Sequence, residues 1–440
     1  MATRHLILDT IVAPATPLGR GALAIVRIDG PRSASILSSL GGSADPRVAT
    51  LTDLRHDSQH IDQSIVVRYA APHSFTGNDL VELTLHGGPL IVERVIRAVI
   101  DLGARLADPG EFTERAVLNG KLDLVQAESI ADLINARTTL QADLSLANLD
   151  GVLSRKATAI RESLLHVISR LEAALDFSED GYEFISRVDA RTIIERAITD
   201  AEALLETYRR GRATRSGLSA VILGRPNAGK STLLNRLVGS DRAIVTPIPG
   251  TTRDIVSETI EIGGLPVTLA DTAGLRESSD VVESMGVDRA RRAAESADVI
   301  LYLIDAAAGV TDEDRAELQR FPDAWVVYTK IDLAPAPVEM TGISVVAEHG
   351  VDELLARLDD VVRERFAAPE ASLVNERQRQ AVAECADALR AAMASIAAAH
   401  DEQIVLVDLY RAATALGLLT GAITREEVFD EIFSKFCIGK

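Results

Sequence analysis

Residues 224–231 read Gly-Arg-Pro-Asn-Ala-Gly-Lys-Ser, GRPNAGKS, and Thr232 follows. The apolar run LSAVILG (218–224) precedes this stretch, and the helical pattern STLLNRLVG (231–239) opens from it. A strand, a glycine-rich turn and a helix are therefore predicted in that order. Such a turn suits a polyphosphate. Successive backbone N–H groups and a helix N-terminus cradle the phosphates, Lys230 reaches the β- and γ-phosphates, and Ser231 offers a hydroxyl to Mg2+. Asn227, Ala228, Gly229, Lys230, Ser231 and Thr232 are the candidate contacts.

Downstream, LPVTLAD (265–271), DVILYLID (298–305) and AWVVYTK (324–330) are continuous apolar runs of the kind a parallel sheet covered on both faces requires. Residues 215–372 are thus predicted to form an α/β P-loop domain. Three further pieces lie in order along it. GTTRD (250–254) supplies Thr252, which would close onto Mg2+ and the γ-phosphate. DTAG (Asp271, Thr272, Ala273, Gly274) offers a carboxylate to the metal shell and a glycine N–H to the γ-phosphate. TKID contributes Thr329, Lys330 and Asp332, whose carboxylate would accept from the guanine N1–H and exocyclic amine. The set resembles the G motifs of GTPases, with GTP as the ligand. It departs from them in Thr329, which stands for an asparagine, and in Ser344-Val345, which stands for Ser-Ala. Leu275 also occupies the place of a water-positioning glutamine.

The flanks differ in pattern. Within residues 1–120, TIVAPAT (10–16), ALAIVRI (22–28), SIVVRYA (64–70) and LVELTLH (80–86) are β-rich. PLIVERVIRAVIDLG (89–103) is helical, with Gly103 as its stop. This is an α+β domain. Residues 121–214 are helical throughout, with stripes at Leu164, Ile168, Leu171, Leu175 and at Ile194, Ile198, Ala201, Leu205. The pattern resumes in 373–440, where Cys385 falls on the apolar face of Val382, Leu389, Ala392 and Ile396 and is read as a core residue. One helical-bundle domain, interrupted by the inserted G domain, is the simplest organisation.

Two cysteines cannot form a disulfide framework, and no run of 18 apolar residues occurs, so a cytoplasmic chain with no membrane partner is expected. A net charge of −19 argues against broad electrostatic capture of nucleic acid. The one basic cluster is YRRGRATRSG (208–217), read chiefly as a solvated helix end. Six lysines stand against forty arginines, and Lys121, Lys230, Lys330 and Lys440 fall within separate motifs.

DTIVAPATPLGRGALAIVRIDG (9–30), PGEFTERAVLNGKLDLVQAESIADLINA (109–136), DTAGLRE (271–277) and FCIGK (436–440) together resemble the MnmE (TrmE) family along the whole chain. The resemblance implies a GTPase acting on tRNA as a homodimer. Its partner would be an FAD-containing protein of the MnmG type, the two forming a heterotetramer. The pair would add a (carboxymethyl)aminomethyl group to C5 of the wobble uridine of certain tRNAs. A 5-formyl- or 5,10-methylene-type tetrahydrofolate would supply one carbon. Residues 1–120 would bind folate and dimerise, with Arg27, Glu82, Lys121 and the terminal Lys440 as contacts. The resemblance also implies K+ held by Asn227, Thr246, Ile248 and Thr251, and Glu283 as the water-orienting catalytic group. Pro247 and Pro249 depart from the expected potassium loop.

From the residues alone, Arg27 and Glu82 could equally face solvent. TREE (424–427) reads as a capping box for a last helix through Val428, Ile432 and Phe436 that would hold the tail. Cys437 is open to two readings, a catalytic thiol near the one-carbon unit or an apolar plug. The rival functions are an RNA-binding regulatory GTPase of ribosome assembly and a regulatory scaffold.

Overall fold

The computed structural model describes residues 9–176, 184–239, 242, 244, 257–270, 291–338, 340–369, 371–398, 400–423, 429, 432–434 and 436–439. The chain gathers into two compact units. One comprises Met1–Ala131, Ser154–Ile194 and Asp387–Lys440; the other comprises Asp132–Leu153 and Glu195–Ala386.

In the first unit, β1 (Ile11–Pro14), β2 (Leu23–Asp29), β3 (Thr50–His56), β4 (Gln59–Tyr69), β5 (Leu80–His86) and β6 (Arg105–Leu106) form one sheet. Its order is β3-β4-β5-β2-β1-β6. The period-2 pattern of LAIVRID decides which face is buried. Ala24, Val26 and Ile28 point into a core with Val81, Leu83 and Leu85 of β5 and with Val92, Val95 and Val99 of α2 (Pro89–Asp101). Arg27 and Glu82 consequently share the opposite face, and the antiparallel register sets them directly across from each other. Helix α1 (Ser33–Ser39) adds Ile36 and Leu37 to the core.

A buried ionic knot closes one end of this sheet. Arg115, on α3 (Glu111–Leu118), is 3% exposed and reaches Asp9 Oδ1 at 2.6 Å, Glu111 Oε1 at 2.9 Å and Asp29 Oδ2 at 3.0 Å. Burial alone would raise the Glu111 carboxyl. The Arg105 hydrogen bond, the Asp108 N–H and the Arg115 charge outweigh it and hold the group below the ordinary carboxyl range. A carboxyl depressed in the folded state contributes stability above its unfolded pKa of about 4, and that stability is lost as pH falls through the folded value. Arg115→Ala should therefore lower unfolding stability by about 3–5 kcal/mol at neutral pH, because it strands buried carboxylates. It should also flatten the acid limb of the stability curve. Urea titrations of both proteins between pH 3 and 7 check this, and an unchanged midpoint would contradict it.

The helical segments are α4 (Leu124–Asn135), α5 (Thr139–Leu149), α6 (Val152–Asp176), α7 (Arg187–Glu206), α8 (Tyr208–Ser216), α12 (Glu376–Ala397) and α13 (Glu402–Thr420). The predicted stripes lie inside. Leu164 and Ile168 of α6 are buried, as are Ile194 and Ala201 of α7. The α7 stripe continues through Leu204, one residue before the expected Leu205. Cys385 is fully buried on α12 with Val382 and Leu389, and burial pushes its thiol pKa up to about 12, as fits a core residue. Helix α13 is long and apolar enough to cross a membrane, and 56% of that window is buried within the protein.

In the second unit the sheet order is β12-β11-β10-β7-β9-β8, from β7 (Leu218–Gly224), β8 (Ser257–Ile262), β9 (Leu265–Ala270), β10 (Val299–Asp305), β11 (Trp325–Thr329) and β12 (Thr341–Gly342). All its neighbours are parallel except β8, which runs against β9. LSAVILG shows why the strand reads as continuously apolar. Ala220 and Ile222 enter the core shared with α9 (Lys230–Val238) and α11 (Val351–Phe366), whereas Val221 and Leu223 enter the opposite core with Tyr302 and Phe321. The remaining helix, α10 (Asp312–Arg320), opens with a Thr311/Asp314 capping box.

Candidate functional site

At the C-terminal end of β7 the chain turns through residues 225–229 into α9, as the motif predicts. Two backbone features shape the turn. Gly224 lies so close to Leu303 that an added Cβ would sit 2.5 Å from its carbonyl oxygen, and Asn227 adopts φ +62°, in the left-handed region. Lys230 Nζ folds back onto the carbonyls of Gly224 (2.7 Å) and Arg225 (2.8 Å). These are weaker acceptors than an anion, so the ammonium is poised to exchange them for phosphate oxygens. Asn227 is exposed, and its carboxamide makes no hydrogen bond with a described residue. Ser231 and Thr232 follow in the first turn of α9, beside the positive end of its dipole.

The TKID segment meets this loop. Thr329 Oγ donates to Ala228 O at 2.8 Å and lies 3.3 Å from Ile304 O, so the threonine ties the end of β11 to the phosphate loop. Lys330, at φ +58°, pairs with Asp305 Oδ2 at 2.7 Å and holds that carboxyl below its ordinary range. Asp332 Oδ1 accepts from Ser344 Oγ at 2.5 Å, and Ser344 Oγ in turn accepts from the Ala347 N–H at 3.1 Å. One Asp332 oxygen is thereby fixed, and no hydrogen bond from a described residue reaches the other. Val345 packs against the domain core. The roles of Asp305 and Ser344 went unread in the sequence, although a carboxylate closing the apolar strand LYLID was a usable signal.

On the other candidate face, Arg27 Nε and Glu82 Oε1 are 2.9 Å apart and half-buried rather than solvated. Tyr69 OH lies 3.4 Å from Glu82 Oε2, and Arg27 stacks on the Phe75 ring at 5.7 Å. Lys121 Nζ donates to Pro72 O at 3.1 Å, in the same 70–79 loop that carries Phe75. That loop is anchored beneath by Asp29, which accepts from Thr76 Oγ and from Asn78 Nδ2. Neither Tyr69 nor Phe75 was picked out from the sequence, since isolated aromatics in a strand end and a loop carry no periodic signal.

The tail comes to this unit. Phe429, Ile432, Phe433 and Phe436 are buried with Leu124 and Ala127 of α4. The Gly110 N–H reaches Cys437 O at 3.4 Å. Gly439, at φ +93°, leaves no room for a Cβ, which would fall 1.9 Å from Pro14 O. Cys437 itself is exposed. Arg209, Arg210, Arg212 and Arg215 are engaged within their own unit, by the Phe366 ring, the Glu364 and Arg365 carbonyls, Asp298 and Asp132 respectively. That accounts for the basic cluster without nucleic acid. Thr246, Ile248, Thr251, Thr252, Asp271, Thr272, Ala273, Gly274, Leu275, Glu283, residues 424–428 and Lys440 lie outside the described residues.

Comparison with known proteins decides the family. The family model "GTP-binding protein TrmE N-terminus" matches residues 10–121, and "MnmE helical domain" matches 124–437. The tRNA modification GTPase MnmE of Symbiobacterium thermophilum is 42% identical over 455 residues, covering 98% of this chain and 99% of that one. The chain belongs to the MnmE family of tRNA modification GTPases. Family members of the same name from Nitrosomonas europaea (41% identical; 98% and 99% covered) and Aquifex aeolicus (37%; 98% and 100%) are similarly close. A crystal structure of Aquifex aeolicus Era bound to GDP and AlF4− is 30% identical over 39% of this chain and 66% of that one, with a TM-score of 0.27.

Proposed function

We propose that this member of the family hydrolyses GTP at the Lys230 loop to drive modification of C5 of the wobble uridine in certain tRNAs. In this reading it acts as a cytoplasmic homodimer joined by an FAD-containing, MnmG-type partner. The observation that carries the nucleotide half is the convergence of Lys230, Thr329 and the Ser344-held Asp332 at the ends of β7 and β11. Near full-length identity to tRNA modification GTPases supports the rest.

The residues divide the work. Lys230 reaches the β- and γ-phosphates, and the α9 N–H groups take the remaining oxygens. Asp332 accepts from the guanine amidine edge, which adenine lacks. Ser231 and Thr252 would hold Mg2+, which would supply positive charge against the phosphate oxygens. Asp271 to Gly274 sense the γ-phosphate, and Glu283 orients the water. The unengaged carboxamide of Asn227 fits a monovalent-cation ligand, with Thr246, Ile248 and Thr251 as the others; K+ there would supply positive charge beside the β- and γ-phosphates.

In residues 1–120, the Arg27–Glu82–Phe75 cluster fits a planar, anionic one-carbon carrier of the tetrahydrofolate class. Arg27 offers a guanidinium, Phe75 an aromatic wall, and Lys121 and Lys440 two ammoniums. An assembly GTPase or a scaffold has no use for this face. We assign 1–120 to folate binding and dimerisation, 121–214 with 373–440 to the helical domain, and 215–372 to the G domain.

The test is chemical. tRNA from a strain lacking this gene should show unsubstituted wobble uridine, restored by the wild-type chain but not by Lys230→Ala. Normal modification in the deletion strain, or full rescue by Lys230→Ala, would overturn the reading.

A further inference from the structure

We propose that Arg225 and Asp314 form a brace that holds the phosphate loop in its binding shape, making both positioning residues for GTP. The proposal rests on Lys230's loop being the phosphate site.

Arg225 is the second residue of GRPNAGKS, a place where the motif asks for no particular side chain. Its guanidinium nevertheless has a built seat. Nε lies 3.2 Å from each oxygen of Asp314, and Nη2 donates to Gly309 O at 3.2 Å. Asp314 is 1% exposed at the side chain. Its Oδ2 accepts from the N–H and the hydroxyl of Thr311, both at 2.8 Å, and its own N–H donates to Thr311 Oγ at 3.4 Å, which completes the capping box of α10. Oδ1 does something else: it takes the buried Tyr302 hydroxyl at 3.0 Å and Arg225. A carboxylate held by α10 and β10 in this way cannot follow the loop, so the loop is fixed to it.

The need for a brace follows from what Lys230 does. Its ammonium closes the loop by bonding the Gly224 and Arg225 carbonyls. When phosphate binds, the ammonium shares its three donors between loop and ligand, so its hold on those carbonyls weakens. The Arg225 side chain holds the same residue through Asp314 and Gly309 O, partners that Lys230 does not use. Because that guanidinium is engaged by Asp314 and Gly309 O, Arg225 serves binding rather than charge stabilisation at the reacting phosphate.

The experiment uses the full chain and reads release of a fluorescent GDP analogue together with steady-state GTP hydrolysis. Arg225→Ala should speed release and raise KM by about tenfold, the scale of one charge-assisted hydrogen bond, with kcat within about twofold of wild type. Asp312→Ala, which weakens the acidic first turn of α10 without touching Arg225, Asp314 or Thr311, should release within about twofold of wild type. Lys230→Ala should lose nucleotide. Wild-type release by Arg225→Ala alongside lost binding in Lys230→Ala overturns the brace alone. So does release from Asp312→Ala as fast as from Arg225→Ala, which would reduce the effect to helix stability. A kcat loss of about 10²-fold at unchanged KM would overturn it too, placing Arg225 on the reacting phosphate. Normal nucleotide binding by Lys230→Ala would instead remove the phosphate-site reading on which the brace rests.

Discussion

GTP turnover is expected to slow by about 10²-fold when K+ is replaced by Na+, and by about 10²-fold again in Glu283→Ala, with nucleotide affinity nearly unchanged in both. The reason lies in what the site lacks. Leu275 follows DTAG, and an apolar side chain cannot orient water. Arg225 is engaged by Asp314, so it is not free to act in place of that group. A water-positioning group must therefore come from elsewhere, and Asn227, exposed and without a hydrogen-bond partner among the described residues, would help hold a cation that adds to the charge of Lys230. Steady-state rates at saturating GTP in KCl and in NaCl of equal ionic strength make the comparison. Equal rates would sink the potassium role, an outcome that Pro247 and Pro249 would rationalise by stiffening the loop. A wild-type rate in Glu283→Ala would remove the carboxylate from the mechanism.

Deleting residues 437–440 is expected to abolish wobble-uridine modification while leaving GTP hydrolysis within about twofold of wild type. The tail is seated rather than frayed. Phe433 and Phe436 are buried beside Leu124, Gly110 meets the Cys437 carbonyl, and Gly439 fits against Pro14 only because it lacks a Cβ. A seated tail delivers Cys437 to the unit that carries the Arg27–Glu82 face, far in sequence from the phosphate loop, and Lys440 follows three residues later in the chain. Cys437→Ser separates the two readings of the thiol. Its exposure favours a chemical role, because a plug would be covered, so modification should fall with the serine as it does with the deletion. Normal modification by Cys437→Ser with none by the deletion would assign the tail to folate contact alone. Full modification by the deletion would remove the tail from the reaction.

The strands legible in the sequence were those in the middle of sheets. β7, β10 and β11 are apolar throughout because side chains of both parities meet a core. The strands that went unread, β3, β6, β8 and β12, lie at sheet edges: β6 and β12 span only two residues, and TLTDLRH and SETIEI mix charges with apolar residues because one face or one rim is open. The phosphate loop and TKID were legible because a phosphate and a guanine each demand specific atoms at fixed spacing. The Ser344 and Thr329 contacts, the Phe75 wall and the Arg225 seat were not. Each joins residues far apart in sequence, and only the fold brings them together. The knot around Arg115 was hidden for the same reason: Asp9, Asp29 and Glu111 are unremarkable acids until one guanidinium is buried among them.

Guanine recognition by Asp332 is the claim on which the nucleotide site turns, and base exchange tests it most directly. In Asp332→Asn the new amide still fits beside Ser344 but donates where the carboxylate accepted. The kcat/KM for GTP should fall by about tenfold for each hydrogen bond lost, and that for xanthosine triphosphate should rise above the GTP value, since the amide can donate to the xanthine 2-oxo group. GTP kinetics unchanged in the variant, with no gain for xanthosine triphosphate, would contradict the account.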